Sequence, residues 1–338
     1  MINISKRLEK QKLFDIDSSN FKNLGGWSIY NNANLSIHLG EKCNANCDFC
    51  IAHLRYLNEN KEYKKPFIED DEKYINRLNA VLDFVKPINP SVSITGGEPT
   101  LYSRFPLIVA SLKSHNVRKR TMTTNASGLL NSYNNKTYLQ ILEDYKLEYL
   151  NISRAHYDET INAQIMHSEK LPANEELKEI IGDAELHGIS VRLSCILLKD
   201  HIGNFTEIQK YIRWAQNIGV KNVIFRQLMN FDKKNVACGR IPDYCLKQNV
   251  ELYPIWQEFD KNPEYDLYHQ VLGYYYYVEI RKFENMNIVT EGADLRLIKP
   301  MMKKYKEKYK KPIGFEMVFH PNGNLCTGWQ ENEMQILC

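Results

Sequence analysis

The sequence lacks the long apolar run that a membrane-spanning helix requires. No stretch of it approaches the roughly 18–20 consecutive apolar residues of such a helix, so no membrane association is expected. Cysteine is sparse as well, with eight residues in a chain of 338, which is too few for a secreted scaffold held by disulfides. The amino terminus also lacks the hydrophobic core of a signal peptide. These absences predict a cytoplasmic protein whose cysteines stay reduced.

The sequence has little net charge and no low-complexity linker or internal repeat. Its formal charge is +3, from 44 Lys and Arg against 41 Asp and Glu, so a nucleic-acid partner is not expected. A basic stretch at residues 299–311 is the local exception. We favour the solvated face of a helix there, and a surface for phosphate or an acidic partner is the alternative.

Three of the eight cysteines are crowded into one short run. Cys43, Cys47 and Cys50 have the spacing C-x3-C-x2-C. A [4Fe–4S] cluster normally takes four cysteine thiolates, so a loop with three leaves one iron free for another ligand. Zinc is the alternative, but the sequence has no His-x3–5-His or second C-x2-C pair to complete four zinc ligands. The spacing therefore favours one [4Fe–4S] cluster.

Short apolar runs alternate with helical stretches from residue 35 to about 228, the pattern of βα units around a parallel sheet. We predict strands at 35–39, 92–95, 119–124, 149–153, 189–197 and 222–228. We predict helices near 71–86, 104–115, 136–146, 174–187 and 204–217. The loops that follow the strands carry the chemistry of α/β barrels. The cysteine run follows the first predicted strand, which is the appropriate end.

A glycine-rich turn, Thr95-Gly96-Gly97-Glu98-Pro99-Thr100, directly follows the second predicted strand. Its two glycines permit positive φ angles and a close approach of the backbone to a ligand. This turn resembles the GGEP motif of the radical S-adenosylmethionine (radical SAM) superfamily. The cysteine spacing resembles the three-cysteine motif of the same superfamily. The resemblance implies an α/β fold with a partial (β/α)6 barrel. It also implies that SAM binds the open iron and is cleaved to methionine and a 5′-deoxyadenosyl radical.

The resemblance assigns SAM-binding roles to residues near the strand ends. The backbone of Gly96 and Gly97 would receive the methionyl ammonium of SAM, and Glu98 would orient this turn or help to hold the ammonium. Phe49 would pack on the adenine of SAM. The other positions implied for SAM are Asn125, Ser153, Arg192, Ser194, Gln227 and Leu228. A packing or surface role is the alternative for each of these.

Some of these positions have a more specific expected role. Ser153 is expected to meet the ribose hydroxyls, with Arg154 or Asn151 as second choices. Arg192 is expected to pair with the carboxylate of SAM, because charge-assisted hydrogen bonds are strong. After Asn125, Ala126 replaces the glycine of relatives, which puts a backbone role of that position in doubt.

Two further regions are expected around the barrel of residues 35–228. Residues 1–34 form an N-terminal extension, too short for the separate peptide-recognition domain of many peptide-modifying relatives. Residues 229–338 form a small C-terminal α+β cap, with a helix near 243–259 and strands at 274–281, 287–290, 315–319 and 325–329. The cysteines left over are Cys195, Cys238, Cys245, Cys326 and Cys338. Cys195 is expected to be a buried apolar residue, and the spacing of the other four does not match an auxiliary cluster.

The sequence favours an enzyme that abstracts hydrogen from a small molecule, such as a sugar, a nucleotide-like compound or another metabolite. A peptide- or protein-modifying maturase with a separate recognition partner is the first alternative. A non-enzymatic Fe–S protein is the second, and the SAM-binding turn argues against it. An electron donor such as flavodoxin or ferredoxin is the expected protein partner.

Overall fold

The computed structural model describes residues 15–50, 52, 67–231, 234, 236, 239–330 and 334–337. The strands are β1 Phe21–Leu24, β2 Trp27–Tyr30, β3 Asn34–His38, β4 Ser91–Thr95, β5 Lys119–Thr124, β6 Ser132–Tyr133, β7 Lys136–Thr137, β8 Tyr149–Ser153, β9 Ser190–Ile196, β10 Asn222–Arg226, β11 Asp266–Leu272, β12 Tyr276–Phe283, β13 Met286–Ala293, β14 Ile313–Gly314, β15 Met317–Phe319, β16 Leu325–Cys326 and β17 Gln335–Leu337. The helices are α1 Asp71–Val85, α2 Phe105–Lys113, α3 Tyr138–Asp144, α4 Glu159–Met166, α5 Asn174–Leu186, α6 Phe205–Asn217, α7 Arg240–Gln248, α8 Leu252–Lys261 and α9 Ile298–Tyr309.

Twelve of the described strands form one sheet, in the order β11-β12-β13-β10-β9-β8-β5-β4-β3-β15-β16-β17. The six central strands, from β3 to β10, are the six that the sequence predicts, each within two residues at either end. They pair in parallel. At least one helix lies between each of these strands and the next one along the chain. This is the partial barrel that the sequence predicts, and the prediction is confirmed.

The barrel strands have one apolar and one polar face. Ile37, Ile94, Leu150, Leu193 and Phe225 are almost completely buried and belong to the core that the helices cover. Alternate side chains point to the other face because successive residues of a strand do so. We call that inner, concave surface the lumen face. Its polar side chains are Ser36, His38, Ser93, Thr95, Lys119, Thr121, Thr123, Tyr149, Asn151, Ser153, Arg192, Ser194 and Arg226.

Capping and an apolar stripe explain the helices around the barrel, as α1 illustrates. Asp70 precedes α1, and its side chain accepts a hydrogen bond from the backbone N–H of Lys73, which satisfies one of the free donors of the first turn. Leu78 and Leu82 lie four residues apart and are buried against the sheet, each contributing roughly 1.5–3 kcal/mol. Among the described helices, none is long and apolar enough to cross a membrane.

The C-terminal region extends the barrel sheet at both edges. β13 pairs in parallel with β10, and β15 pairs in parallel with β3. β15 and β16 form a hairpin around the Asn322-Gly323 step, where Gly323 has a φ of +83°. Exposed edge strands offer unpaired backbone groups, and these additions satisfy them on both sides.

The predicted helix at 243–259 is instead two helices, α7 and α8. The break follows from the side chain of Gln227, which donates hydrogen bonds to Asn249 Oδ1 and to the Val250 carbonyl oxygen, at 3.1 and 2.7 Å. Asn249 is extended, with φ −61° and ψ 135°, so the helix ends there. The strand β11 was not predicted, because its first four residues are exposed and show no alternation.

An aromatic cluster joins the N-terminal hairpin to the C-terminal region. Tyr274 stacks on Phe315 with ring centroids 4.3 Å apart. Phe21 of β1 and Tyr305 of α9 lie farther from Phe315, with ring centroids at 6.0 and 5.8 Å. Tyr274 therefore serves packing.

Candidate active site

The glycine-rich turn after β4 is hydrogen-bonded to the loop that carries the cysteines. Gly97 N–H donates to the carbonyl oxygen of Gly40 at 2.6 Å, and Glu98 N–H donates to that of Lys42 at 2.8 Å. A Cβ on Gly97 would lie 2.0 Å from the Lys42 oxygen, and Gly96 has a φ of +152°. The close approach that these glycines permit is thus to the backbone just before Cys43.

The Glu98 side chain braces the ends of two neighbouring strands. It is completely buried and accepts hydrogen bonds from the Thr100 and Thr124 hydroxyls and from Asn125 N–H, each at 2.7 Å. Thr100 N–H adds a fourth at 3.2 Å. Burial raises the pKa of this carboxyl group, and the four donors offset its desolvation. A contact between Glu98 and the ammonium of SAM stays a prediction.

Asn125 continues this brace to the cysteine loop. Its side-chain N–H donates to Asn44 Oδ1 at 2.8 Å and lies 3.9 Å from the sulfur of Cys43. Asn44 in turn donates to the Ser127 hydroxyl at 2.9 Å. Ala126 has a φ of +68°, a left-handed conformation that glycine adopts more readily, so alanine costs roughly 1–2 kcal/mol at this position.

The opposite side of the cysteine loop is held by the end of α4 and the start of α7. Asn46 N–H and the Cys47 thiol donate to the carbonyl oxygen of Met166, at 3.1 and 3.7 Å. Asp48 pairs with His167 at 2.9 Å and also with Arg240. These contacts are not predicted from the sequence. The polar residues between the cysteines were a usable signal for Asp48, but no local signal connects the loop to Arg240.

The three cysteines suit a [4Fe–4S] cluster by their donor chemistry. Cys43 is exposed, whereas Cys47 and Cys50 are half-buried. Burial, together with the neighbouring Cys50 and Cys43, raises the pKa of the Cys47 thiol to about 12. Thiolates that disfavour one another in this way need bound cations to stay together as ligands, which iron ions would provide. Among the described residues, no three His, Cys, Asp or Glu side chains form a group that could hold a single metal ion.

An open pocket of about 600 Å³ lies beside the cysteine loop. Phe49, Ile196, Leu228 and Cys245 give it an apolar wall, and Gln227 also lines it. An ion pair between Arg226 and Glu291, at 3.2 Å, lies on the polar side. The pocket thus brings Phe49, which is predicted to pack on adenine, together with Gln227 and Leu228, two further positions implied for SAM.

The remaining predicted residues lie on the lumen face. Ser153 and Ser194 are register partners on β8 and β9, so their hydroxyls belong to one row near the strand ends. Arg192 lies one row deeper, opposite Asn151, and its guanidinium lies over the Tyr149 ring at 3.6 Å. Its pairing with the carboxylate of SAM stays a prediction.

Arg154, a second choice for the ribose, is fully engaged elsewhere. It is 2% exposed, and its guanidinium donates to the carbonyl oxygens of His156 and Pro172 and to Asn174 Oδ1. These contacts hold in place the two connections on either side of α4, one from β8 and the other to α5.

The other described cysteines are buried. Cys195 packs in the core, as expected, and Cys326 lies buried in β16. Cys245 lies on α7 in the pocket beside the cysteine loop. Cys238 and Cys338 lie outside the described residues, so the absence of an auxiliary cluster stays a prediction.

The radical SAM superfamily model matches residues 37–225, which is more than half of the chain, runs from the end of β3 into β10 and contains both motifs. The chain belongs to the radical SAM superfamily. It is therefore a radical SAM enzyme, and its cofactors are a [4Fe–4S] cluster and SAM.

Two relatives have names that refer to nucleotides. A probable GTP 3′,8-cyclase of Methanococcus aeolicus is 22% identical over 274 residues, which are 79% of this chain and 76% of that protein. An S-adenosylmethionine-dependent nucleotide dehydratase of Lacinutrix mariniflava is 26% identical over 191 residues, 53% of this chain and 37% of that protein.

Among solved structures, Streptococcus suis SuiB bound to its precursor peptide SuiA has a TM-score of 0.55 at 15% identity. The match covers 96% of this chain and 62% of the SuiB chain. The same protein bound to S-adenosylmethionine has a TM-score of 0.53 at 17% identity, covering 91% of this chain and 63% of that one. These likenesses show the fold, and this chain spans less than two thirds of SuiB.

Proposed function

We propose that this enzyme abstracts a hydrogen atom from a small, nucleotide-like metabolite, with Cys43, Cys47 and Cys50 as the ligands of the cluster. The observation that carries the proposal is the pair of backbone hydrogen bonds from Gly97 and Glu98 to the cysteine loop. They fix the ligand loop and the glycine-rich turn as one unit at the carboxyl ends of β3 and β4, where α/β barrels have their active sites.

The cluster and SAM, when bound, supply a 5′-deoxyadenosyl radical. The residues of this chain position them and the substrate. The loop with the three cysteines is held from both sides, by Asn125 and by the end of α4. The pocket of Phe49 and Leu228 offers an apolar surface for adenine, and Ser153 and Ser194 offer hydroxyls to the ribose.

The proposed substrate class rests on the lumen face and on the names of the relatives. The lumen face is rich in hydroxyl, amide and cationic side chains, which suit a small polar molecule. The likeness to peptide-bound SuiB concerns the fold alone, so a peptide substrate has less support. A flavodoxin or ferredoxin as electron donor and a cytoplasmic location remain proposals.

The substrate class can be tested with the full chain, reconstituted anaerobically with iron and sulfide. SAM and dithionite are added with each of the four ribonucleoside triphosphates in turn, and 5′-deoxyadenosine is quantified. We expect at least one nucleotide to raise product formation above the rate without substrate. With the deuterated form of that nucleotide, deuterium should enter 5′-deoxyadenosine. If no nucleotide raises the rate while the uncoupled cleavage of SAM proceeds, the nucleotide-like substrate is wrong.

A further inference from the structure

The lumen face carries two cations that have no carboxylate partner among the residues that the structure describes. Lys119 of β5 and Arg192 of β9 lie against the same aromatic ring, that of Tyr149, at 4.3 and 3.6 Å from its centroid. In the described part of the chain, no Asp or Glu oxygen lies within 4.0 Å of either group. The third cation of this face, Arg226, is paired with Glu291.

The barrel strands themselves contain no acidic residue to balance these charges. None of β3, β4, β5, β8, β9 and β10 contains Asp or Glu. The one carboxylate whose charge favours protonated Lys119 is Glu148, and it accepts a hydrogen bond from Arg120 N–H at 3.1 Å. Burial lowers the pKa of both Lys119 and Arg192, the charge of Arg192 lowers that of Lys119 further, and the charge of Arg226 lowers that of Arg192.

Cations that are half-buried side by side without a counter-ion destabilise a fold. A sequence that keeps them has a use for positive charge at that place, and the pattern recurs where proteins bind phosphate groups. Asn151 adds a second sign of a missing ligand. It is the register partner of Arg192, and its side-chain oxygen is buried with no hydrogen-bond partner among the described residues.

We propose that Lys119 and Arg192 bind a phosphate group of the substrate inside the barrel, with Asn151 accepting a hydrogen bond from a neighbouring hydroxyl of the same molecule. Two positive charges match the double charge of a phosphate better than the single charge of a carboxylate. The inference rests on the proposed function, because it specifies a group of that substrate. Lys119 and Tyr149 are the first residues of β5 and β8, so the phosphate would lie below the SAM site, toward the amino ends of the strands. The inference also gives Arg192 to the substrate instead of to SAM, which agrees with its position one row below Ser153 and Ser194.

The test measures binding of inorganic tripolyphosphate to the anaerobic holoenzyme by calorimetry, in the presence of SAM. We expect Lys119→Met and Arg192→Met each to weaken binding at least about tenfold, since a hydrogen bond to a charged group contributes roughly 1.5–3 kcal/mol. The conservative variants Lys119→Arg and Arg192→Lys should bind more tightly than the Met variants. Lys86→Met is the matched control, because Lys86 is exposed and pairs with Asp83 on the surface.

Several results would overturn the proposal. They are no binding of tripolyphosphate to the wild-type holoenzyme, unchanged binding in both Met variants, and binding of citrate as tight as that of tripolyphosphate. SAM affinity, measured for the same variants, decides the role of Arg192. A loss of SAM binding in Arg192→Met that equals the loss of tripolyphosphate binding would show that Arg192 binds SAM. Formation of 5′-deoxyadenosine by the wild type reports separately on the proposed function.

Discussion

Single residues in the glycine-rich turn set how closely two loops approach each other. The sequence showed that Gly96 and Gly97 permit such an approach, but it could not show which partner they approach. The structure identifies the backbone of Gly40 and Lys42. The reason is geometric: the contact joins residues more than 50 positions apart, and only the parallel pairing of β3 and β4 brings them together.

Replacement of Gly97 by Ala should therefore damage both the fold and the cluster site. The added Cβ would lie 2.0 Å from the Lys42 carbonyl oxygen, so the two backbone hydrogen bonds to the cysteine loop must break or shift. We expect a loss of roughly 2–3 kcal/mol in the free energy of unfolding and a lower iron content after reconstitution. Urea unfolding and iron analysis measure these effects.

Gly182→Ala is the control for that variant. Gly182 lies inside α5, and a Cβ there would have no atom within 4 Å. Alanine at a helix interior should raise stability by roughly 0.5–1 kcal/mol and leave the iron content unchanged. Equal effects of the two substitutions would contradict the account of Gly97.

At the level of elements, the regular alternation of the barrel strands made them predictable. Leu150 and Ile152 face the helices while Asn151 and Ser153 face the lumen, and this period-two pattern is readable in the sequence. The break between α7 and α8 was not readable, because the Gln227 side chain that causes it comes from the end of β10. β11 escaped prediction for the same kind of reason, since only its pairing with β12 makes it a strand.

The brace between β4 and β5 yields a prediction at this scale. Both oxygens of Glu98 accept a backbone N–H, one from Thr100 and the other from Asn125. In Glu98→Gln one of these N–H groups would face an amide NH2 instead, which costs about 1–3 kcal/mol. We expect lower thermal stability and faster loss of iron to a chelator, because Asn125 also contacts the cysteine loop.

Glu258→Gln is the matched control for this change. Glu258 lies on the exposed side of α8 and pairs with Lys261 on the surface, where such pairs contribute little. The stability of the Glu258→Gln variant and its rate of iron loss should equal those of the wild type. If Glu98→Gln behaves in the same way as this control, the hydrogen bonds of Glu98 are not needed for stability or for retention of iron.

For the whole molecule, the half-buried acid Glu316 predicts a dependence of stability on pH. Glu316 precedes β15, and burial raises the pKa of its carboxyl group to about 7, against an ordinary value of 4.5. The native state thus keeps the proton while the unfolded chain releases it. Stability is therefore fully present below about pH 4.5 and falls as the pH rises to about 7, by up to roughly 3 kcal/mol from this group.

Glu316→Gln should remove this part of the pH dependence, because glutamine stays neutral. Urea unfolding of both proteins at pH 5.5, 7 and 8 measures the difference. We expect the stability of the variant relative to the wild type to increase with pH across this range. Parallel curves for the two proteins would show that Glu316 titrates with an ordinary pKa.

The central claim is that Cys43, Cys47 and Cys50 hold the cluster at which SAM is cleaved. The most direct measurement is 5′-deoxyadenosine formation by the anaerobically reconstituted chain, compared with the three single Cys→Ala variants and with Cys195→Ala, which removes a thiol buried in the core. We predict product from the wild type and from Cys195→Ala, and neither product nor the charge-transfer absorbance of the cluster from the other three. Product from any of those three variants, or none from a wild type with about four irons per chain, would contradict the account.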